Sequence, residues 1–420
     1  VKELVGDGFA GGGGASEGLT LAGLPPHFAI NHDAMALAMH EANHPGTKHY
    51  RSDIYEIDPE EATGGRPMGL LWLSPNCTHF SRAKGGKPKS AKIRSLASVG
   101  VRWARAVKPR VIIVENVPEF KTWGPLLANG KPCPKRKGKS FRTWVRQLER
   151  AGYAVEWREL QAHHYGAPTS RKRLFVVARC DGEPIVWPEP THGPGLVPYR
   201  TASECIDWTT PVRSIFDRKK PLADKTLARI ARAIQKHVLD AQHPVLVPEG
   251  AAALIQTSYG ERKGQAPRVL DLKKPLGTVV AGGQKHGLVY ACIAKHYGGH
   301  EGTGASLRAP LSTITTQDHH SLLTVEVNGP RRAQVRAFLE RFGVDPKGLE
   351  ITDIGMRMLT PRELFRAQGF RDDYVIDPTF EGKALSITAQ VRMCGNSVCP
   401  PLAAAIARAN MHRPAGRLAA

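Results

Sequence analysis

A chain of 420 residues is longer than one compact core of ordinary size accommodates, so two or three domains are expected. A hydrophobic fraction of 41% with 23% charged residues excludes wholesale disorder. Lys and Arg number 59 against 38 Asp and Glu, and the resulting formal charge of +21 suits a polyanionic partner, nucleic acid above all; a merely basic soluble protein is the bland alternative.

No apolar run approaches the ~20 residues that a membrane span needs. The opening VKELVGDGFAGGGG carries no signal-peptide pattern. The seven cysteines (77, 133, 180, 205, 292, 394 and 399) are scattered, and no CxxC pair occurs. That disfavours a zinc ribbon and a disulfide framework, so neither a metal nor a membrane is expected. A reducing, cytoplasmic compartment is the simplest expectation.

In chain order, short apolar runs recur at Phe28–Ile30, Leu70–Leu73, Val111–Val114 and Leu174–Val177, with helix-capable segments between them. Such runs suit strands buried on both faces of a parallel sheet, and the alternation predicts a doubly wound, Rossmann-like α/β domain over residues 1–198. The stretch GEPIVWPEPTHGPGLVPY, rich in Pro and Gly, marks a domain edge. Residues 199–350 are expected to form a smaller domain, mostly β or irregular. Within it, 222–238 has the period of an amphipathic helix, with Leu227, Ile230, Ile234 and Val238 on one face. A weak echo follows: Pro275–Val280 precedes His286–Val289, and Pro310–Thr315 precedes His320–Leu323, which suggests a duplicated β-type element. Residues 351–420 return to helical periodicity and are expected to rejoin the first domain.

Four local patterns carry chemistry. Asp7-Gly8-Phe9-Ala10-Gly11-Gly12-Gly13-Gly14 precedes a helix-like run. Glycines permit tight turning and close ligand approach, and the helix start offers free N–H groups, which is the layout of a nucleotide-type cofactor loop. No GKS or GKT follows, so a phosphate-gripping loop is disfavoured. Asp33 and Asp53 are loop carboxylates placed to accept from such a cofactor.

Ser74-Pro75-Asn76-Cys77-Thr78-His79-Phe80-Ser81 follows a predicted strand, so Cys77 sits where sheets of this kind bind ligands. Residues 82–94 then hold six basic side chains and no acid, a loop suited to closing on a phosphate backbone. An inert buried thiol beside a solvated loop is the alternative. Glu115, in Glu115-Asn116-Val117-Pro118, ends a buried strand, where a carboxylate is costly unless hydrogen-bonded or used as a proton donor. Arg171 and Arg173 flank Lys172 at the start of another strand. Alternation places the two guanidiniums on one side, suited to a phosphate or a base carbonyl.

Taken in this order, the motifs resemble the cytosine-C5 DNA methyltransferase family over nearly the full chain. FAGGGGASEGL resembles the S-adenosylmethionine loop, SPNCTHFS the catalytic-cysteine motif, ENV the glutamate motif and SRKRLFVV the arginine motif. Arg362–Phe370 resembles the motif that supports the recognition domain, and Gly395-Asn396-Ser397-Val398 the last motif, which returns to the cofactor pocket. The style of residues 200–330 is most similar to phage and prophage members.

The sequence departs from the family at three places. Asn76 stands where Pro usually precedes the cysteine. Thr169 stands where Gln is common. The ribose-binding Glu is not evident in Ile30-Asn31-His32-Asp33.

The resemblance implies methyl transfer from S-adenosylmethionine to C5 of a flipped cytosine in duplex DNA, leaving S-adenosylhomocysteine. Cys77 would attack C6, Glu115 would hydrogen-bond N3 and the exocyclic amine, Arg173 would contact O2, and Arg171 would steady the site or a phosphate. Phe9 would stack on adenine, with Ala10 beside it and Gly11 and Gly13 allowing close approach. Asn31 or Asp33 would take the ribose hydroxyls, with His32 near the adenine, and Asp53 with Ile54 would receive the adenine amine. Asp7, Pro75, Asn396, Ser397 and Val398 would line the methionine end. Ser81, Arg82, Lys84, Lys87 and Lys89 would contact DNA, with Lys131–Lys139 as a second basic loop. The resemblance further implies a monomer, in a bacterial or phage-infected cell, with or without a cognate restriction endonuclease. An RNA-directed enzyme of the same fold and a catalytically silent DNA-binding chain are the rival readings.

Overall fold

The computed structural model describes residues 2–75, 96–129, 131–242, 245–247, 250–256, 264–281, 285–293, 329–347 and 351–411. The chain divides into two units: residues 1–200, 277–283 and 364–420 form one, and residues 201–276 and 284–363 the other.

The first unit begins β1 (Leu4–Gly8), α1 (Gly14–Leu21), β2 (Phe28–Ile30), α2 (Ala34–Asn43), β3 (Lys48–Tyr50), α3 (Pro59–Thr63) and β4 (Met68–Leu73). It continues α4 (Val99–Ala106), β5 (Val111–Asn116), α5 (Lys139–Arg150), β6 (Ala154–Gln161) and β7 (Lys172–Arg179). Seven strands form one sheet in the order β3-β2-β1-β4-β5-β7-β6. The four predicted apolar runs all fall in its strands, and burial on both faces explains why they lack alternation. On one face Leu71, Leu73, Ile112, Val114, Leu174 and Val176 pack with Trp103 of α4 and Trp144 and Leu148 of α5. On the other, Leu70, Trp72, Val111, Ile113, Phe175 and Val177 pack with Leu19 of α1.

One expectation needs correcting. β1 to β5 are parallel, but β7 runs antiparallel to β5, with Glu115 opposite Phe175 and Asn116 opposite Leu174. β6 and β7 form an antiparallel edge pair, joined through Ala162–Tyr165. This reversal matters for the site, because the start of β7 lies at the same sheet edge as the end of β5. An apolar run carries no direction, so the sequence pattern could not reveal it.

The second unit contains β8 (Arg213–Ser214), α6 (Asp224–Ile234), β9 (Val245–Val247), β10 (Gly250–Gln256), β11 (Val269–Leu270), β12 (His286–Ile293), α7 (Gly329–Arg341) and β13 (Ile351–Met358). Its strand pairs are all antiparallel, in the order β11-β10-β12-β13-β8, with β9 on β10. The predicted amphipathic helix is α6 plus one π turn, Gln235–Leu239, and it buries Ile230, Ile234 and Val238 against Ala253, Ile255, Val289 and Ile354. β13 lies inside this sheet, so after the short passage 277–283 the final return to the first unit comes at residue 364 rather than 351. Of the suspected duplication, His286–Val289 lies in β12, whereas Pro275–Val280 is not a strand; residues 310–323 lie outside the described residues.

The chain then forms α8 (Pro361–Gln368), the hairpin β14 (Thr379–Phe380) and β15 (Lys383–Ala384), α9 (Ile387–Asn396) and α10 (Pro400–Met411). α10 packs on α1 through Leu402, Ala403 and Ile406 beside Leu19.

A methyl group on Gly18 of α1 would lie 2.5 Å from Ala403 Cβ and 2.6 Å from the Pro400 carbonyl oxygen. Alanine is favoured over glycine in a helix by about 1 kcal/mol. Overpacking a tight contact costs roughly 1–3 kcal/mol. Because the contact includes backbone, packing is expected to win: Gly18→Ala should destabilise the protein in urea unfolding. A stabilised variant would show that α1 and α10 are not closely apposed.

Candidate active site

β1 delivers Asp7 to the edge of the sheet where the strands β1 to β5 end. Asp7 is fully buried and accepts a hydrogen bond from Ser16 Oγ at 2.7 Å through Oδ2, while its Oδ1 is buried without a hydrogen-bond partner. Desolvation pushes its pKa up to about 7, although the Ser16 hydrogen bonds pull the other way. The chain of contacts continues inward. Ser16 Oγ lies 2.8 Å from His40 Nε2, and His40 Nδ1 lies 2.7 Å from His49 Nε2. With the Ser16 proton given to Asp7, His40 Nε2–H must donate to Ser16 and His40 Nδ1 must accept from His49. Burial, with His44 and His49 adding to it, holds His40 well below the usual imidazole range and so keeps it neutral.

The glycine loop follows. Phe9 takes a left-handed backbone, φ 64°, and its half-buried ring packs against the core. Gly11 has φ 54°, and among the described residues a Cβ there would meet only the Phe9 carbonyl oxygen, at 3.8 Å. At Gly11 the absent side chain therefore leaves open space. Gly13 differs: a Cβ there would lie 2.1 Å from the Tyr374 hydroxyl and 3.3 Å from His44 Nε2. The space at Gly13 is thus filled by the protein, which corrects the expectation that it makes room for a ligand. Tyr374 donates to the Gly12 carbonyl oxygen at 2.8 Å. Neither Tyr374 nor the buried histidines were singled out in the sequence, where nothing connects residue 374 with residue 12.

Asn31 Oδ1 accepts from Asp33 N–H, and His32 is exposed. Asp33 Oδ1 caps α2 by accepting from Met35 and Ala36 N–H, and its other oxygen is bound by Arg392. With both oxygens so engaged, Asp33 is a structural cap rather than a free ribose acceptor. Asp53 Oδ1 accepts from Tyr55 N–H at 3.1 Å, and Ile54 is buried in the core. At the far end of α9, Asn396 is exposed, Val398 is buried, and Ser397 Oγ donates to the Met393 carbonyl oxygen at 2.8 Å. That hydroxyl hydrogen serves the helix end, so Ser397 can offer a ligand only acceptor capacity through Oγ.

Pro75 ends the segment leaving β4, and Asn116 Nδ2 of β5 donates to its carbonyl oxygen at 3.0 Å. The next residues, including Asn76, Cys77, Ser81, Arg82, Lys84, Lys87 and Lys89, lie outside the described residues. One residue before Asn116, Glu115 Oε1 stands 3.1 Å from Arg173 Nε, both side chains being largely buried. Arg171 goes elsewhere. It is 3% exposed and donates to the Val279 carbonyl oxygen at 3.0 Å and the Gly395 carbonyl oxygen at 3.1 Å. The expectation from alternation that both guanidiniums lie on one side is therefore corrected: Arg171 precedes β7, where strand alternation no longer applies. Among the described residues no cluster of His, Cys, Asp or Glu could hold a metal ion, and no helix is long and apolar enough to cross a membrane.

The arrangement is thus a glycine loop after β1, a pinned proline after β4, a carboxylate–guanidinium pair on β5 and β7, and the end of α9. The model of the C-5 cytosine-specific DNA methylase family matches residues 5–412, and the chain belongs to that family. The Type II methyltransferase M.AgeI of Thalassovita gelatinovora is 29% identical over 241 residues, 51% of this chain and 53% of that protein. M.AquIA of Picosynechococcus is 26% identical over 226 residues, 48% of this chain and 87% of the relative. M.HgiDII of Herpetosiphon aurantiacus is 29% identical over 204 residues, 48% of this chain and 52% of the relative. The chain therefore spans about half the length of two of these three. Two solved structures share the fold: DNMT2 of Spodoptera frugiperda (TM-score 0.55, 13% identity, 98% of this chain and 100% of that one) and an Escherichia coli prophage DNA modification methyltransferase (TM-score 0.52, 18% identity, 97% and 98%).

The raised pKa of Asp7 has a measurable consequence. Between about pH 4 and pH 7 the native state keeps a proton that the unfolded chain releases, so this residue lowers stability as pH rises, by at most about 4 kcal/mol. Asp7→Asn cannot titrate. The unfolding free energy of Asp7→Asn relative to the parent should climb from pH 4 to pH 7 and stay level above, as read by urea denaturation. A difference independent of pH contradicts the buried, unpaired carboxylate.

Proposed function

We propose that this chain is an S-adenosylmethionine-dependent DNA (cytosine-5) methyltransferase that acts on a flipped cytosine within a specific duplex sequence, through a covalent bond between Cys77 and C6. The observation that carries the reading is the Glu115–Arg173 pair beside Asn116, the residue that ties down Pro75 two positions before Cys77. A carboxyl group and a guanidinium side by side, at the sheet edge where Pro75 is held, suit polarisation of a pyrimidine.

A stacked cytosine is inaccessible to these groups, so the base must leave the duplex. Cys77 thiolate then adds to C6, and electron density moves onto C5. Glu115 hydrogen-bonds N3 and the exocyclic amine and so offsets the charge that builds on the ring. Arg173, fixed against Glu115, has a guanidinium to offer O2. The cofactor supplies an electrophilic methyl group when bound. Loss of the C5 proton to water or hydroxide reverses the addition and releases the Cys77 sulfur.

The residues present fit this cofactor. Gly11 leaves open space, Phe9 presents a partly open ring, and Asp7 has a buried oxygen in need of a donor. Asn31, Asp53 and Asn396 offer further polar contacts. Of the second basic loop, Lys131, Lys135, Arg136, Lys137 and Lys139 are exposed, as phosphate contacts require. Double-stranded DNA is the partner, the second unit is the element to read its sequence, and the enzyme works as a monomer. The Type II names of the relatives make a cognate endonuclease a further partner to look for.

Cys77→Ala should abolish methyl transfer while preserving DNA binding, and Glu115→Gln should slow single-turnover chemistry about a hundredfold or more with little effect on DNA affinity. Bisulfite sequencing of DNA from cells expressing the parent and each variant reads activity and target together. Methylation by Cys77→Ala, or equal loss of rate and affinity in Glu115→Gln, would overturn these roles.

DNA affinity should also fall steeply with added salt, by about 0.9 in the logarithmic slope for each phosphate neutralised. A flat response in a fluorescence-anisotropy titration is inconsistent with phosphate contacts.

A further inference from the structure

Arg171 is a buried cation whose described hydrogen bonds go only to backbone. Its Nη1 donates to the carbonyl oxygens of Val279 and Gly395, and its Nε is buried without a hydrogen-bond partner. An arginine buried in this way is costly unless something offsets its charge. The offset here is the C-terminal end of α9, whose carbonyl dipoles favour a cation.

Such an end leaves orphan carbonyls, and here each of three has its own donor. Ser397 Oγ serves Met393, Gln368 Nε2 serves Cys394 at 2.9 Å, and Arg171 serves Gly395. The same guanidinium reaches a strap, residues 277–281, that lies directly on this helix end. A Cβ on Gly395 would fall 2.1 Å from Ala281 N and 2.2 Å from the Val280 carbonyl carbon. Thr169, fully buried, adds a long contact of 3.5 Å to the Gly277 carbonyl oxygen and accepts from Arg171 N–H. Beyond Gly395, the chain passes through Asn396 to Ser397 and Val398, which lie against Gly14 of the glycine loop.

We propose that Arg171 is a positioning residue: it clamps the strap 277–281 to the last turn of α9 and so sets the wall of the cofactor pocket, without touching the substrate. The clamp explains why residue 395 is glycine, since any side chain would displace the strap backbone. It also gives Thr169 a purpose in a place where the family commonly has glutamine. The proposal rests on the reading of the pocket as an S-adenosylmethionine site.

Calorimetric titration of S-adenosylhomocysteine into DNA-free protein tests it, with kcat at saturating cofactor and DNA affinity measured alongside. Arg171→Lys keeps the charge but loses the fork, and its affinity should fall about tenfold, the scale of one lost charge-assisted hydrogen bond. The smaller change Thr169→Val should lower affinity about twofold to fivefold, since it removes a neutral hydrogen bond. Both should change kcat and DNA affinity less than they change cofactor affinity. Unaltered cofactor affinity, or a larger effect on kcat or DNA affinity, overturns the assignment and returns Arg171 to the base or a phosphate. Should Arg171→Lys fail to fold, Thr169→Val decides by the same criteria. Failure of the parent protein to bind S-adenosylhomocysteine would remove the functional reading itself, and the clamp with it.

Discussion

The site depends on the reversal of one strand. Because β7 runs against β5, the residues that enter β7 meet the residues that leave β5, and Arg173 stands 3.1 Å from Glu115. A parallel β7 would put the arginine at the opposite edge, a full strand length from the carboxylate. Both side chains are largely buried, so each offsets the desolvation of the other, and separating them would leave an unpaired charge in the protein interior. Beside that pair, Asn116 holds the Pro75 carbonyl at the same edge.

The glycine loop shows how one composition serves two purposes. A Cβ on Gly11 would crowd no described atom, whereas the room at Gly13 is taken by Tyr374, 361 positions later in the chain. The second arrangement ties the start of the chain to its end. Tyr374 binds the Gly12 carbonyl, and α10 packs on α1. The glycine loop is therefore shaped by the C-terminal region. Behind it also lies the buried series Asp7, Ser16, His40 and His49, where each proton position dictates the next.

The second unit has a different character. Its sheet is antiparallel throughout the described pairs, and it buries the carboxylate of Glu363. That side chain is fully buried and receives Arg357 through two nitrogens together with the N–H groups of Asp207 and Thr360. Burial of a charge is tolerable because every lone pair it exposes is met. The motif Arg362–Phe370 begins at this carboxylate, which gives its place in the sequence a structural basis.

What the sequence determined by itself was the set of elements and the order of the motifs. Leu70–Leu73, Val111–Val114 and Leu174–Val177 are apolar without alternation, and only a strand covered on both faces buries such a run. The glycine loop, the ENV segment and the arginine pair likewise announce themselves by residue type and spacing. Tertiary structure alone decided which way β7 runs, where the chain returns from its second unit, and which partners Arg171, Asp33 and Gly13 would take. Those outcomes depend on contacts between residues far apart in the chain, such as Asp33 with Arg392 and Arg171 with Val279. Local pattern registers burial and turning, because these depend on neighbours in sequence; it carries no record of a hydrogen bond whose other half lies hundreds of residues away.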